Sequence, residues 1–324
     1  MKFKELIKRH KIIELDENIV NQFFHSAGEY PGANETYSIL SVVWKSVLLE
    51  QYPTNIFSLL EKRNINEIKE AYENYYVLGI SDGACGGKGL DKFLRRWEIT
   101  KRNINRVKPL QEYLGMVKEE RQNYLAPSEF YPIIKKQYNI PEIINVGQPW
   151  GWHYGDSFYH YELADHLYFA DIIIKILKLL ALNKICFLGD GTGLTGCLVN
   201  SNYDIKSSHF IDLAHFLVQQ FILNRDYNAH FHYAENFDEN NITEAQILIN
   251  QDSLPEITHD CLEKYFQCIG KNKIEYVLSY NQEKWNRKLH VDYRSMLIGC
   301  GMNSVIRFES ALRPGYIIEL FKYC

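Results

Sequence analysis

The sequence predicts an α/β fold: a mostly parallel sheet with helices on its faces, preceded by a mainly helical N-terminal region and ended by an antiparallel hairpin. Three observations predict it. Residues 1 to about 145 carry apolar positions at three-to-four spacing with long charged side chains between them, the pattern of amphipathic helices. From about Lys184 the texture changes to short apolar runs separated by amphipathic stretches, as in βαβ units. Near the end, Leu312-Arg313-Pro314-Gly315 is a short turn between two such runs, and short turns join antiparallel strands whereas parallel ones need a crossover.

In chain order, the helical pattern is clearest over 17–24, 35–51, 56–78, 90–106 and 110–124, where no run alternates as a strand. The stretch 147–156 is dense in glycine and aromatic residues, and an amphipathic helix follows over 161–182. Strands are predicted at 184–188, 208–212, 230–234, 245–250 and 276–280, with 304–310 and 316–323 forming the closing hairpin. At 324 residues the chain exceeds what one core usually organises, so two units are expected, 1–145 as a helical cap or substrate domain and 146–324 as the cofactor-binding domain.

Composition excludes several classes. With 46% hydrophobic and 23% charged residues the chain buries a real core. A net charge of −4 supplies no overall field for nucleic acid or an anionic membrane. The N-terminal residues lack the apolar core of a secretory signal, and the greasiest stretch, 172–182, is interrupted by Lys175 and Lys178 and is too short to span a bilayer. Neither membrane insertion nor a nucleic-acid partner is expected, the expected location is the cytoplasm, and a homo-oligomer stays open. The seven cysteines are scattered without a CxxC pair, so no zinc or disulfide framework is read from them.

The strongest local signal is Gly189-Asp190-Gly191-Thr192-Gly193, which follows the apolar run Ile185-Cys186-Phe187-Leu188 and precedes a helical pattern at 194–199. Glycines there let the chain turn sharply and let a ligand approach main-chain N–H groups at a helix N-terminus. Asp212 ends the next predicted strand, where an acid can accept hydrogen bonds from ribose hydroxyls. Strand, turn, helix and acid together mark a nucleoside-bearing cofactor. The residues 191–196 also satisfy the dinucleotide fingerprint G-x-G-x-x-G, so NAD(P) and S-adenosylmethionine (SAM) both stay open at this point. Two architectural features favour SAM: the turn opens the C-terminal half behind a helical region, and a hairpin stands where a second mononucleotide-binding half would be.

The run 245–257, Ala-Gln-Ile-Leu-Ile-Asn-Gln-Asp-Ser-Leu-Pro-Glu-Ile, resembles the fourth-strand motif of a family of bacterial sugar O-methyltransferases, with Ile257 in place of its methionine. Val146-Gly147-Gln148-Pro149-Trp150-Gly151 is similar to that family's G-N-P-x-G element, with Gln148 for Asn, and 187–193 resembles its first motif. The resemblance covers roughly 145–324. It implies a Rossmann-like, seven-stranded class I methyltransferase fold, SAM as methyl donor with S-adenosylhomocysteine as product, and a sugar hydroxyl as acceptor, on a nucleotide-linked sugar or a surface glycan. One departure stands out: class I methyltransferases usually carry an acid two residues before the first glycine, where this chain has Phe187, and Asp190 is the residue placed to take over the polar contact.

Methyl transfer to a hydroxyl requires alignment of the oxygen and removal of its proton. Asp252 and Glu256 follow Asn250 at the strand edge where ligands of open α/β sheets gather, and Glu256 matches the family motif; each can equally be a helix N-terminal acid. His290 and Asp292 lie in a long polar connection after the fifth strand and are either acceptor contacts or surface residues. Glu235 or Asn236 can meet the nucleoside, and Asn250 is expected among the cofactor contacts. Trp150, Trp152, His153 and Tyr154, with Tyr159 and His160, form an aromatic cluster suited to a sugar ring or to packing at a hinge. His230 and His232 share a strand face without an acid at ligand spacing, so no metal is expected. The loop 83–89 lacks the P-loop spacing, and the basic residues Lys92, Arg95, Arg96, Lys101, Arg102 and Arg106 read as a solvated helix face or a contact for sugar-linked phosphates. The competing readings are methyl transfer to a phosphate-derived or amine group of a sugar, an NAD(P)-dependent sugar reductase or epimerase, and a nucleoside- or glycan-binding module without turnover.

Overall fold

The runs with least charge become strands buried on both faces, as a parallel sheet covered by helices requires. In the computed structural model the described residues are 7–40, 56–81, 136–154, 156–238, 242, 244–282, 292–310, 312, 313 and 315–324. Strands β4 (Lys184–Leu188), β5 (Ser207–Asp212), β6 (Ala229–Tyr233), β7 (Ile247–Gln251) and β8 (Tyr276–Gln282) run parallel, and β10 (Tyr316–Tyr323) runs antiparallel between β8 and β9 (Met302–Glu309). The spatial order is β6-β5-β4-β7-β8-β10-β9. This is the Rossmann-like class I methyltransferase sheet, with the terminal antiparallel hairpin expected from the sequence.

Each of the seven strands lies within two residues of its predicted start, because hydrophobic runs bounded by polar turns are local signals. Strand β9 is the exception in burial: only Met302 is buried, and the strand forms an edge carrying Arg307 and Glu309.

Two elements were not foreseen. The stretch around 150–160 is a hairpin, β2 (Trp150–Tyr154) and β3 (Ser157–His160), and it is extended by β1 (Ile7–Arg9) from the N-terminal region. Three residues are too few to show a period, so β1 is defined by its partner and not by its own sequence.

The predicted helix over 17–24 is present, the one over 35–51 runs outside the described residues after position 40, and the one over 56–78 is broken. Over 56–78 the chain forms α3 (Ile56–Lys62), α4 (Ile65–Glu73) and α5 (Tyr75–Leu78). Arg63 is in a left-handed conformation, and Asn64 caps α4 by accepting from Glu67 N while its Nδ2 donates to Glu67 Oε1. Upstream lie α1 (Ile19–Ala27) and α2 (Ala33–Ile39). The expected helices over 90–106 and 110–124, the loop 83–89 and the basic segment from Lys92 to Arg106 lie outside the described residues.

Helix α6 (Leu163–Leu180) leads into β4, and α7 (Leu194–Asn202), α8 (Ala214–Asn224), α9 (His259–Asn272) and α10 (Tyr293–Gly299) complete the layers. Phe23 of α1 packs edge-on against Phe221 of α8 and Tyr233 of β6, and Tyr72 OH donates to His215 O at 2.5 Å. Buried side chains of both halves form one continuous core. The end of α2 reaches across to the sheet, where Leu40 forms a bridge with Ile257.

Candidate active site

The centre of the sheet's C-terminal edge opens into a cavity. Its wall combines the turn after β4 (Gly189, Asp190, Gly191, Thr192), the ends of β5 and β7 (Asp212, Gln251), and the connections that follow them. Ile39 and Leu40 close it from α2, His166 from α6, and Arg313 from the β9–β10 turn.

Three alternate glycines build the turn. Gly189, Gly191 and Gly193 all have positive φ, at 72°, 58° and 81°. Space is the second constraint: a Cβ on Gly189 would run into Ser253 Oγ, and one on Gly193 would lie 2.8 Å from Gln220 Cα. A side chain at either place therefore meets strain and a clash together.

Asp212 holds the turn while facing the cavity. Its Oδ2 accepts from Gly191 N at 2.9 Å and from Gln220 Nε2 at 2.6 Å, and its Oδ1 accepts from Leu213 N at 2.8 Å. Oδ1 keeps a second acceptor position, suited to a ribose hydroxyl. Burial pushes the Asp212 carboxyl up to about 7, against the hydrogen bonds that favour its charge.

Asp190 turns inward. Its Oδ2 accepts from Gly196 N at 2.8 Å, capping α7, while Oδ1 is buried without a hydrogen-bond partner among the described residues. Burial, with the nearby charge of Asp212, raises its carboxyl to about 8. Thr192 Oγ1 is likewise buried and unsatisfied. Phe187, the departure noted above, lies flat against Phe210, and Phe210 against Phe231, at 5.1 and 5.3 Å. An acid at 187 would enter this aromatic ladder.

The remaining expected residues divide by position. Asp252 and Glu256 line the cavity, Glu256 in a 3-10 turn before α9. Asn250 does not; it is fully buried, its Nδ2 donating to Leu188 O and Ser253 Oγ and its Oδ1 accepting from Asn281 Nδ2. It ties the β4 turn to β7 and β8. Glu235 lies just beyond the wall, accepting from Thr36 Oγ1, and burial raises its carboxyl to about 7; Asn236 is exposed.

Trp150, Trp152, His153 and Tyr154 belong to the small sheet, and the first three are not among the lining residues of the cavity. Trp152 is buried in the core, Arg9 lies over the Trp150 ring at 4.5 Å, and His153 meets Phe158 edge-on. His290 lies outside the described residues, and Asp292 caps α10 through Ser295 N. His209, His230 and His232 stack across β5 and β6, and no group of three or more metal-ligating side chains suited to a metal occurs among the described residues.

Several wall residues were not foreseen. His166 Nδ1 contacts Thr195 Oγ1 at 2.8 Å, and Thr195 Oγ1 donates to Gln251 Oε1 at 2.6 Å. Having one proton, which goes to Gln251, the Thr195 hydroxyl accepts from His166 Nδ1–H. His166 Nε2 lies 3.8 Å from Glu162 Oε2. Leu213, Phe216, Ala234 and Tyr265 give the β5–β6 side an apolar slot suited to a flat base. No local motif marks these positions; they converge only through packing of distant elements.

No family model matches the chain, and no curated protein matches it in sequence. Among solved structures, the methyltransferase domain of bacterial CtHen1 aligns with a TM-score of 0.40 at 10% identity, over 50% of this chain and 98% of that one. Magnesium protoporphyrin IX methyltransferase (ChlM) from Synechocystis PCC 6803, with S-adenosylhomocysteine bound, aligns at 0.39 and 11%, over 50% and 84%. The N-methyltransferase NodS from Bradyrhizobium japonicum WM9, in complex with S-adenosylhomocysteine, gives 0.38 and 12%, over 50% and 87%.

Proposed function

We propose that the chain is a SAM-dependent methyltransferase acting on a hydroxyl of a sugar. The observation that carries the cofactor class is the meeting, in one cavity, of the three-glycine turn after β4 with Asp212 at the end of β5. The unsatisfied Thr192 Oγ1 and Asp190 Oδ1, the open position on Asp212 Oδ1 and the apolar slot beside them fit a nucleoside. SAM, when bound, supplies an activated methyl group on a sulfonium.

The chain's own residues supply placement and proton removal. Asp212 orients the ribose, and Leu213, Phe216 and Ala234 flank the base. The sheet order puts these on one side of the turn and β7, β8 and β10 on the other, so the acceptor enters between Glu256 and the hairpin. His166, positioned by Thr195, takes the acceptor proton, and Glu256 holds the acceptor. Asp252 is a poorer base because its Oδ2 already accepts from Arg313 and Tyr316. Residues 1–145 act as the cap, of which Ile39 and Leu40 reach the cavity. The sugar itself rests on the sequence motif at 245–257.

The test is incubation of the protein with methyl-labelled SAM and a panel of neutral and anionic saccharides. Label in a sugar product supports the reading. SAM bound without transfer to any acceptor favours a binding module, and reduced-nicotinamide fluorescence enhanced by the protein favours the reductase.

A further inference from the structure

Arg313 has no role in the cofactor chemistry above, yet the fold fixes it firmly at the cavity wall. It comes from the turn between β9 and β10, on the far side of the glycine turn from Asp212 and Ala234. Its Nη2 donates to Asp252 Oδ2 at 2.9 Å and to Tyr316 OH at 3.0 Å, and Tyr316 OH donates to the same Asp252 oxygen at 2.9 Å. The guanidinium carbon lies 3.9 Å from the Tyr316 ring centroid and 6.0 Å from that of Tyr280. Asp252 completes this clamp from a left-handed conformation, φ 58°, which a non-glycine residue keeps only where its surroundings over-determine it.

The clamp uses Nη2 alone. The donors on Nε and Nη1 have no acceptor among the described residues, and the side chain is only 18% exposed, so bulk water reaches little of it. A pair built merely to neutralise Asp252 would not need a guanidinium stacked on one ring, facing a cavity, with most of its donors uncommitted. Such a group recognises carboxylate and phosphate oxygens. Its charge is shared with Asp252, with which it pairs, and is felt by the buried Asp165; Glu256 also lines the wall, whereas Asp190 and Asp212 lie at the nucleoside end.

We propose that Arg313 is the anion-recognition element of the acceptor site, and that the acceptor carries a carboxylate or a phosphate group which docks on its Nε and Nη1. This rests on the methyl-transfer reading of the same cavity and narrows it, from saccharides in general to sugar acids and sugar phosphates.

The test is calorimetric titration of the full chain, saturated with S-adenosylhomocysteine, with inorganic phosphate and separately with acetate at constant ionic strength. The expected result is saturable one-site binding, with the preferred anion naming the acceptor group. Arg313→Met abolishes it and leaves S-adenosylhomocysteine affinity unchanged, whereas Arg313→Lys weakens it by about tenfold. Asp252→Asn strengthens it several-fold by removing the competing carboxylate, a gain that a purely structural pair would not give; this variant decides the matter if Arg313→Met does not fold. Absence of saturable binding in the wild type, or binding unaltered in Arg313→Met, overturns the proposal. So does loss of S-adenosylhomocysteine affinity in Arg313→Met, which would assign Arg313 to the cofactor. Failure of the wild type to bind S-adenosylhomocysteine would instead overturn the methyl-transfer reading, and the phosphate titration of the ligand-free protein would still report on Arg313.

Discussion

At the scale of single residues, two buried acids, Asp190 and Asp212, line the nucleoside end of the cavity, and a third, Glu235, stands just beyond its wall. Asp190, Asp212 and Glu235 are raised by burial to about 8, 7 and 7, so the folded protein holds protons that the unfolded chain has released. Their contribution to stability is fully present below the ordinary carboxylate range, about pH 4, and is lost as pH rises through roughly 7 to 8. The ligand-free protein should therefore lose melting temperature between pH 5.5 and 8.5, and Asp212→Asn, which cannot ionise, should lose less. A flat profile, identical in the two proteins, would refute the assignment. His166 makes a kinetic prediction: His166→Gln should lower turnover by about 10²–10⁴-fold while leaving S-adenosylhomocysteine affinity intact, measured by rate and titration on the same preparation. An unchanged rate would move the proton to Glu256. Of these residues Asp212 was legible in the sequence, because strand, turn, helix and acid are contiguous over about two dozen positions. His166 was not, since its meaning comes from Thr195 and Gln251, which reach it only in the folded chain.

At the scale of elements, the sheet explains the departure at position 187. Phe187, Phe210 and Phe231 are in register on β4, β5 and β6, and they stack as one ladder beneath α7 and α8. Phe210 is the middle rung and also lies against Gly196, where an added Cβ would strike its ring. Phe210→Ala should cost about 3–5 kcal/mol in urea unfolding, beyond the effect of a comparable deletion on the exposed edge strand β9. A loss below 1 kcal/mol would show that the ladder is not the support of the turn. The strands were legible because each is a short apolar run, and the final hairpin because its turn is too short for a crossover. The β1–β2 pairing was not: it joins Ile7–Arg9 to Trp150–Trp152 across most of the N-terminal half, and nothing in three residues announces a partner that distant. The aromatic residues of β2 read equally as a sugar platform or as packing, and in the fold Trp150, Trp152 and His153 lie in the small sheet, away from the cavity wall.

At the scale of the whole molecule, the cavity belongs to both halves of the chain. Among the described residues the nucleoside end is made by the C-terminal half, from the sheet and from Phe216 of α8 and Tyr265 of α9, whereas Ile39 and Leu40 come from the helical region and the Leu40–Ile257 bridge ties α2 to the loop that carries Asp252 and Glu256. The cofactor half of the site was therefore written in a local motif, and the acceptor half in long-range packing, which is why the sequence pointed to a reaction class more sharply than to a substrate. The central claim is that this cavity is a SAM site. It is tested most directly by equilibrium titration of the full chain with S-adenosylhomocysteine, in parallel with NADH. Saturable binding of S-adenosylhomocysteine in the micromolar range is expected, weakened by about tenfold in Asp212→Ala, as leaving the ribose hydroxyls without their partner at a cost of about 1–3 kcal/mol requires. Binding of NADH with no binding of S-adenosylhomocysteine would contradict the claim.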